Sequence, residues 1–190
     1  MRKLGAFSWV AIFVAGFVAG VVFSAWKLDS STPRQAPTAA KSDERQQRIE
    51  GLEKMLAKTP DNMEALIQLG NDFFDGGNYG KAIEAYEKAL RIKPDNPDVL
   101  TDLGISYRRV GQSDKAAALF QQAMKVDPNH AIALFNLGIV YRDDLKDLPA
   151  ALKAWEAFLE KAGNSPHAVM VRPWVQQLKE KLGTAGSGGG

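Results

Sequence analysis

From Met63 to His130 the chain falls into two consecutive units of 34 residues, with apolar and small side chains repeated at the same offsets. Leu66, Leu69, Gly70, Phe73, Gly77, Ala82, Tyr86, Ala89 and Pro94 recur as Leu100, Leu103, Gly104, Tyr107, Gly111, Ala116, Phe120, Ala123 and Pro128. Each unit reads as an apolar run, a glycine-containing polar break, a second apolar run and a stop at proline. The pattern predicts a helix-turn-helix hairpin made twice. Leu66, Leu69, Gly70 and Phe73 share one helical face, and Ala82, Tyr86 and Ala89 share one face of the next helix. Gly70 and Ala82 are expected to let the two backbones approach, with Leu69, Phe73 and Tyr86 around the crossing. Glycine inside a helix costs about 1 kcal/mol relative to alanine, so its recurrence at Gly104 points to a close contact that offsets the loss.

The period continues on both sides. Leu134, Leu137, Gly138 and Tyr141 open a third unit over residues 131–164, whose second helix aligns only if the turn over residues 143–149 holds one extra residue. Pro149 suits the first turn of that helix, where its missing N–H costs little. Phe158 replaces the small residue found at Ala89 and Ala123. Residues 165–182 are expected to hold one last helix, with Val171, Trp174, Val175, Leu178 and Leu182 on its packing side, and Pro173 is a point at which its start is delayed in an alternative reading. Residues 183–190 are glycine-rich and read as a flexible tail. On the other side, residues 44–62 resemble the second half of a preceding unit, with Ile49, Leu52, Met55 and Leu56 on one side. This partial repeat is expected to cap the apolar face of the first complete unit over 63–96, and the second unit runs over 97–130.

Leu4 to Trp26 carries no charge. As a helix its 23 residues rise about 34 Å, enough for a bilayer core of roughly 30 Å. A single transmembrane helix over residues 4–26 is the expectation, with Arg2 and Lys3 holding residues 1–3 in the cytoplasm and the repeats on the other side. A cleaved signal peptide is the alternative. Against it, bulky Phe23 stands where cleavage after Ala25 needs a small side chain. Gly16 and Gly20 lie four apart beside Ala11, Ala15 and Ala19, a small-residue face that allows two such helices to pair into a homodimer. Residues 27–43, with Pro33 and Pro37 among serines and threonines, read as a flexible tether.

Composition narrows the chemistry. The chain has no cysteine, which excludes disulfides, thiol catalysis and cysteine-ligated metal. Setting aside Arg2, Lys3 and Lys27 around the apolar segment leaves 21 of the 24 basic residues against 22 acidic ones. No basic block remains to collect phosphates, so no nucleic-acid partner is expected. His130 and His167, the two histidines, fall at a turn and a helix start and read as solvated or helix-start residues. Phosphate-binding glycine loops, Gly-x-Ser-x-Gly and His-Glu-x-x-His are absent, and no catalytic residue, cofactor or metal site is expected.

The Leu-x-x-Leu-Gly-x-x-Phe/Tyr run, the Ala-x-x-x-Tyr/Phe-x-x-Ala run and the closing proline resemble the tetratricopeptide repeat (TPR) family. The resemblance implies an all-α fold, a right-handed superhelix of antiparallel helix pairs, here preceded by the transmembrane helix. It also implies a non-enzymatic scaffold whose first helices line a concave surface for a protein or peptide. Matching inward positions are Glu64, Ile67, Asn71, Phe74 and Asp75, then Asp98, Thr101, Ile105, Arg108 and Arg109, then Ile132, Phe135, Ile139, Arg142 and Asp143. Some family members hold peptide C-termini in a clamp of basic and asparagine residues. Only Asn71 matches it here, since Ile67, Asp102, Ile132 and Asn136 stand at the other clamp positions.

Anchor, tether and three units together also resemble bacterial inner-membrane TPR proteins of envelope assembly, including those of cytochrome c maturation. This implies a single-pass protein of the bacterial inner membrane with its repeats on the periplasmic side. Nothing in the residues names haem or an apocytochrome as partner. The expected function is a membrane-tethered scaffold for complex assembly, and the alternative is a fixed accessory subunit of a larger membrane enzyme or transport complex.

Overall fold

The computed structural model of the chain describes residues 37–187, with side chains over 41–183. Two units are distinguished, Met1–Lys41 and Ser42–Gly190, and the packing below belongs to the second. Eight α-helices follow in order: α1 (Pro37–Leu56), α2 (Met63–Asp75), α3 (Tyr79–Ile92), α4 (Pro97–Arg109), α5 (Ser113–Val126), α6 (Ala131–Ile139), α7 (Leu148–Ala162) and α8 (Pro166–Ser187), with a π-turn at Val140–Asp144 between α6 and α7. There is no strand among the described residues. None of these helices is long and apolar enough to cross a membrane. The expected span over residues 4–26 and its Gly16–Gly20 face lie outside the described residues.

Helix boundaries follow from the capping residues. Asn62 Oδ1 accepts from the Ala65 amide at 3.0 Å, Asn78 Oδ1 from Lys81, Asn96 Oδ1 from both Asp98 and Val99, and Asp147 Oδ1 from Ala150. Each bond satisfies an amide that has no partner within the helix. Pro97 and Pro149 occupy first-turn positions. Two ends differ from the sequence reading. α1 begins at Pro37, inside the stretch read as tether, because Ala39, Ala40, Lys41 and residues 44–47 favour helix and a first-turn proline does not oppose it. α8 starts at Pro166, passes through Pro173 without a break, and stays helical to Ser187, beyond residue 182.

The close contacts inside the hairpins differ from the expected backbone approach. A Cβ added to Gly70 would lie 2.5 Å from Cε1 of Tyr86, and one added to Gly104 would lie 2.6 Å from Cε1 of Phe120. Gly138 faces the Trp155 indole in the same way. Each glycine therefore makes room for an aromatic ring of the second helix, while Ala82 and Ala116 are buried beside it. Tyr86, Phe120 and Trp155 are nearly or fully buried and anchor three adjoining core clusters.

α1 covers the first hairpin with Ile49 and Leu52, and Arg48 pairs with the buried Asp72 of α2 through Nη2 at 2.5 Å and Nε at 3.2 Å. Met55, expected on the packing side, is 47% exposed. At the other end α8 buries Ala168, Val171, Val175 and Leu178 against Trp155 and Phe158.

The third hairpin turns differently from the first two. Gly77 and Gly111 close the earlier turns with φ of 75° and 78°. Here the helix widens at Val140–Asp144, where the Leu145 amide bonds to the Val140 carbonyl at 3.0 Å, and Lys146 takes the left-handed conformation with φ of 60°. A five-residue span of that kind accommodates one additional residue within a helix.

Candidate functional site

The inward positions on α2, α4 and α6 meet different fates. Asn71 is exposed, Ile67, Phe74, Ile105 and Ile139 are half-buried, and Ile132 is 37% exposed. Thr101 is buried: its hydroxyl donates to the Pro97 carbonyl at 2.8 Å and lies 2.9 Å from His130 Nε2. The His130 side chain is only 11% exposed, with Nδ1 3.8 Å from Asp98, so it joins α4 to the start of α6 and is not a solvated turn residue. Phe135 belongs to the core, its ring centroid 5.6 Å from Phe158 and 4.7 Å from His167. His167 thus packs against the third hairpin.

The arginines are engaged within the chain. Arg108 donates to both carboxylate oxygens of Asp144, through Nε at 2.6 Å and Nη2 at 3.2 Å. Arg142 bonds to Asp143 at 2.5 and 2.9 Å, and its guanidinium lies 4.8 Å from the Trp155 ring centre and 4.4 Å from that of Trp174. Its hydrogen bonds and charge hold the Asp143 carboxyl below the usual range, with Arg108 adding to the effect. Arg109 is exposed and leans toward the Tyr79 ring at 5.9 Å.

Four of the inward residues, Asn71, Phe74, Asp75 and Ile105, are brought together. With Tyr86 and Asp102 they line a cavity of about 320 Å³ between α2, α3 and α4. Tyr86 reaches it from behind: its ring passes Gly70 and its hydroxyl donates to Asn71 Oδ1 at 2.7 Å. Burial pushes the Tyr86 phenol up, and the Asp102 and Asp75 charges push it further. Burial, with Asp98 one turn back, lifts the Asp102 carboxyl to about 6. Neither Asp75 nor Asp102 has a side-chain hydrogen bond or an ion pair among the described residues. Asp102 and Tyr86 were not among the expected site residues. The available signal was an acidic residue in a helical position where clamp-bearing relatives hold asparagine.

A cavity of about 590 Å³ opens on a different face of α2 and is lined by Glu53, Leu56, Pro60, Leu66, Ala85 and Lys88 among others. Glu87, Leu90, Pro94, Leu100, Leu119 and Gln122, 34 residues further on, line a second cavity of about 380 Å³. Such wedges recur with the repeat and follow from stacking hairpins, and Ala85 in place of Leu119 leaves the first one wider. The residues that line the pocket at Asp102 are not repeated in this way. Its positions recur one unit later as Ile105, Arg108, Arg109, Phe120, Asn136 and Ile139, with neither carboxylate retained. No group of three or more His, Asp or Glu among the described residues is placed to hold a metal ion.

Residues 70–111 match the family profile described as TPR repeat, and residues 101–168 match that of the tetratricopeptide repeat. The TPR domain of Sgt2 from Aspergillus fumigatus is 32% identical, covering 67% of this chain and 83% of that one at a TM-score of 0.59. The chain belongs to the tetratricopeptide repeat family. TPR domains are typically protein-binding scaffolds and generally not enzymes. MamA, at 24% identity, covers 71% of this chain and 77% of its own with a TM-score of 0.65. The first TPR of Spaghetti (RPAP3), bound to the HSP90 peptide SRMEEVD, is also 24% identical and covers 64% and 93% at 0.58. These two share the TPR fold. No curated protein sequence matches the chain.

Proposed function

We propose that this TPR domain binds an extended or helical segment of a partner protein along α2, α4 and α6. The observation that carries the reading is the strip from Asn71 through Ile105 to Ile132 and Ile139, which stays open while the other faces of the same helices are sealed in the core. A strip of aliphatic side chains between polar groups gives both area and orientation to a bound segment. Two TPR neighbours in peptide complexes support it, Spaghetti with its HSP90 peptide and the TPR2B domain of yeast Sti1 with pHsp70. The acidic peptide SRMEEVD is a poor match for this groove, where Asp75 and Asp102 have no hydrogen bond or ion pair among the described residues and Arg108 and Arg142 are already bonded to aspartates.

The proposal extends to a tether. The uncharged run from Leu4 to Trp26 with Arg2 and Lys3 before it supports a single membrane anchor, with the groove on the periplasmic side of a bacterial inner membrane and a role in assembling envelope or membrane complexes. Intact mass of the membrane-extracted protein tests the anchor, because retention of residues 1–26 is expected and their loss contradicts it. The groove is tested by Ile105→Asp and Asn71→Trp, which are expected to abolish partner capture while Lys88→Glu in the outer wedge leaves it intact. Equal capture by all three, with helicity preserved, contradicts the groove.

A further inference from the structure

The groove has a local chemistry that its repeat pattern does not supply. The pocket between α2, α3 and α4 has an aromatic ring and an aliphatic side chain on its walls, Phe74 and Ile105, and two carboxylates, Asp75 and Asp102. Among the described residues neither carboxylate receives a hydrogen-bond donor. By contrast, the buried Asp72 is met by Arg48 and the exposed Asp144 by Arg108. The corresponding positions one unit later are basic or neutral: Asp75 becomes Arg109 and Asp102 becomes Asn136. Two units on, the position of Asp75 is acidic again at Asp143, but Arg142 bonds that carboxylate, so the pair of unbonded carboxylates is what sets this station apart.

We propose that this pocket receives a lysine or arginine side chain of the bound segment, its stem lying against Phe74 and Ile105 and its cationic head meeting Asp75 and Asp102. The proposal rests on the groove being the binding face. A cavity of about 320 Å³ has room for one such side chain, and it is too small for a folded element. Shape alone would also admit leucine or methionine. Charge decides between them, because an apolar side chain would desolvate Asp102 further without supplying a partner, which is costly for a buried ionised group.

The groups facing the site are consistent with a cation. Asp98 on α4 and Asp75 on α2 add negative charge, and Tyr86 on α3 uses its only proton on Asn71. His130 Nδ1 lies 3.8 Å from Asp98. Arg48 on α1, bonded to Asp72, also feels the Asp75 charge, while Asp102 is raised by burial and by Asp98. An arriving ammonium or guanidinium stabilises the ionised form, so binding strengthens as pH rises through about 6.

The test is an array of dodecapeptides, acetylated and amidated to remove terminal charge, in a common leucine and serine background with lysine, arginine, norleucine or glutamate at the centre. The full-length protein in non-ionic detergent is applied at pH 7.5 as wild type, Asp102→Asn, Asp75→Asn and Ile105→Asp, each checked for helicity by circular dichroism. Lysine or arginine members are expected to bind at least about tenfold more tightly than the norleucine and glutamate members, as a charge-assisted hydrogen bond implies. Asp102→Asn is expected to remove that preference and Ile105→Asp all retention. If Asp102→Asn does not fold, Asp75→Asn carries the same test. Binding that ignores the central residue but is lost in Ile105→Asp overturns the cation pocket and leaves the groove standing. A cation preference unchanged by either asparagine variant also overturns the pocket. Retention of no peptide by the wild type, or retention unaffected by Ile105→Asp, overturns both readings.

Discussion

Tyr86 donates its hydroxyl proton to Asn71 Oδ1 across the first hairpin, and the same two positions in the second hairpin hold Phe120 and Ile105. A polar pair at one station has an apolar pair as its counterpart at the next. The correspondence predicts energetic coupling. Tyr86→Phe leaves the Asn71 amide without its donor and is expected to cost about 0.5 to 1.5 kcal/mol in urea unfolding. Adding Asn71→Ile should recover part of that loss, giving a non-additive double-mutant cycle. Strict additivity would mean that the hydroxyl contributes nothing through Asn71.

Gly104 lies so close to the Phe120 ring that even a methyl group would meet it at 2.6 Å, and Phe120 is fully buried. Gly104→Ala is therefore expected to destabilise the domain by about 1 to 3 kcal/mol despite the better helix propensity of alanine, and Gly104→Leu by more. A rise in melting temperature for Gly104→Ala would contradict the ring contact.

At Lys146 the left-handed backbone is held by a residue with a Cβ, whereas Gly77 and Gly111 serve the other two turns. Left-handed geometry costs such a residue roughly 1 to 2 kcal/mol, partly offset by the greater chain entropy that glycine has when unfolded. Lys146→Gly should raise stability by about 0.5 to 1 kcal/mol and Lys146→Val should lower it. Thermal unfolding of both variants checks the ordering.

These particulars show what the residue pattern encodes. The hairpins are legible because Leu69, Gly70, Tyr86 and Ala89 recur at fixed offsets, and recurrence identifies a shared environment. Lys146 was not legible, since any position in the turn over 143–149 accommodates an extra residue equally well on paper. The groove was legible as a set of positions and only in part as a surface. Thr101 and Phe135 occupy inward positions, yet His130 covers one, and Phe158 and His167 cover the other, through neighbours that repeat register does not specify. Asp102 stood out only once its depth and its missing partner were visible.

Asp102 also predicts a pH dependence. Its folded carboxyl titrates at about 6 against an ordinary 3.8, so between those values the folded chain holds a proton that the unfolded chain has released. Stability from this group is present at about pH 4 and is lost as pH rises through 6. Asp102→Asn removes the loss. Relative to wild type the variant should gain about 1 to 3 kcal/mol above pH 7 and almost nothing at pH 4, measured by denaturant titration at both. A gain that is the same at both pH values would place the effect elsewhere than in ionisation.

The claim that the open strip is where a partner binds is tested most directly by photo-crosslinking of the full-length protein in its native host. A photo-reactive amino acid replaces Asn71 in the groove or Lys88 in the outer wedge. A discrete adduct with one partner from position 71, lost when Ile105→Asp is added, and none from position 88, is the predicted result. An adduct from position 88 with none from position 71 would contradict the account.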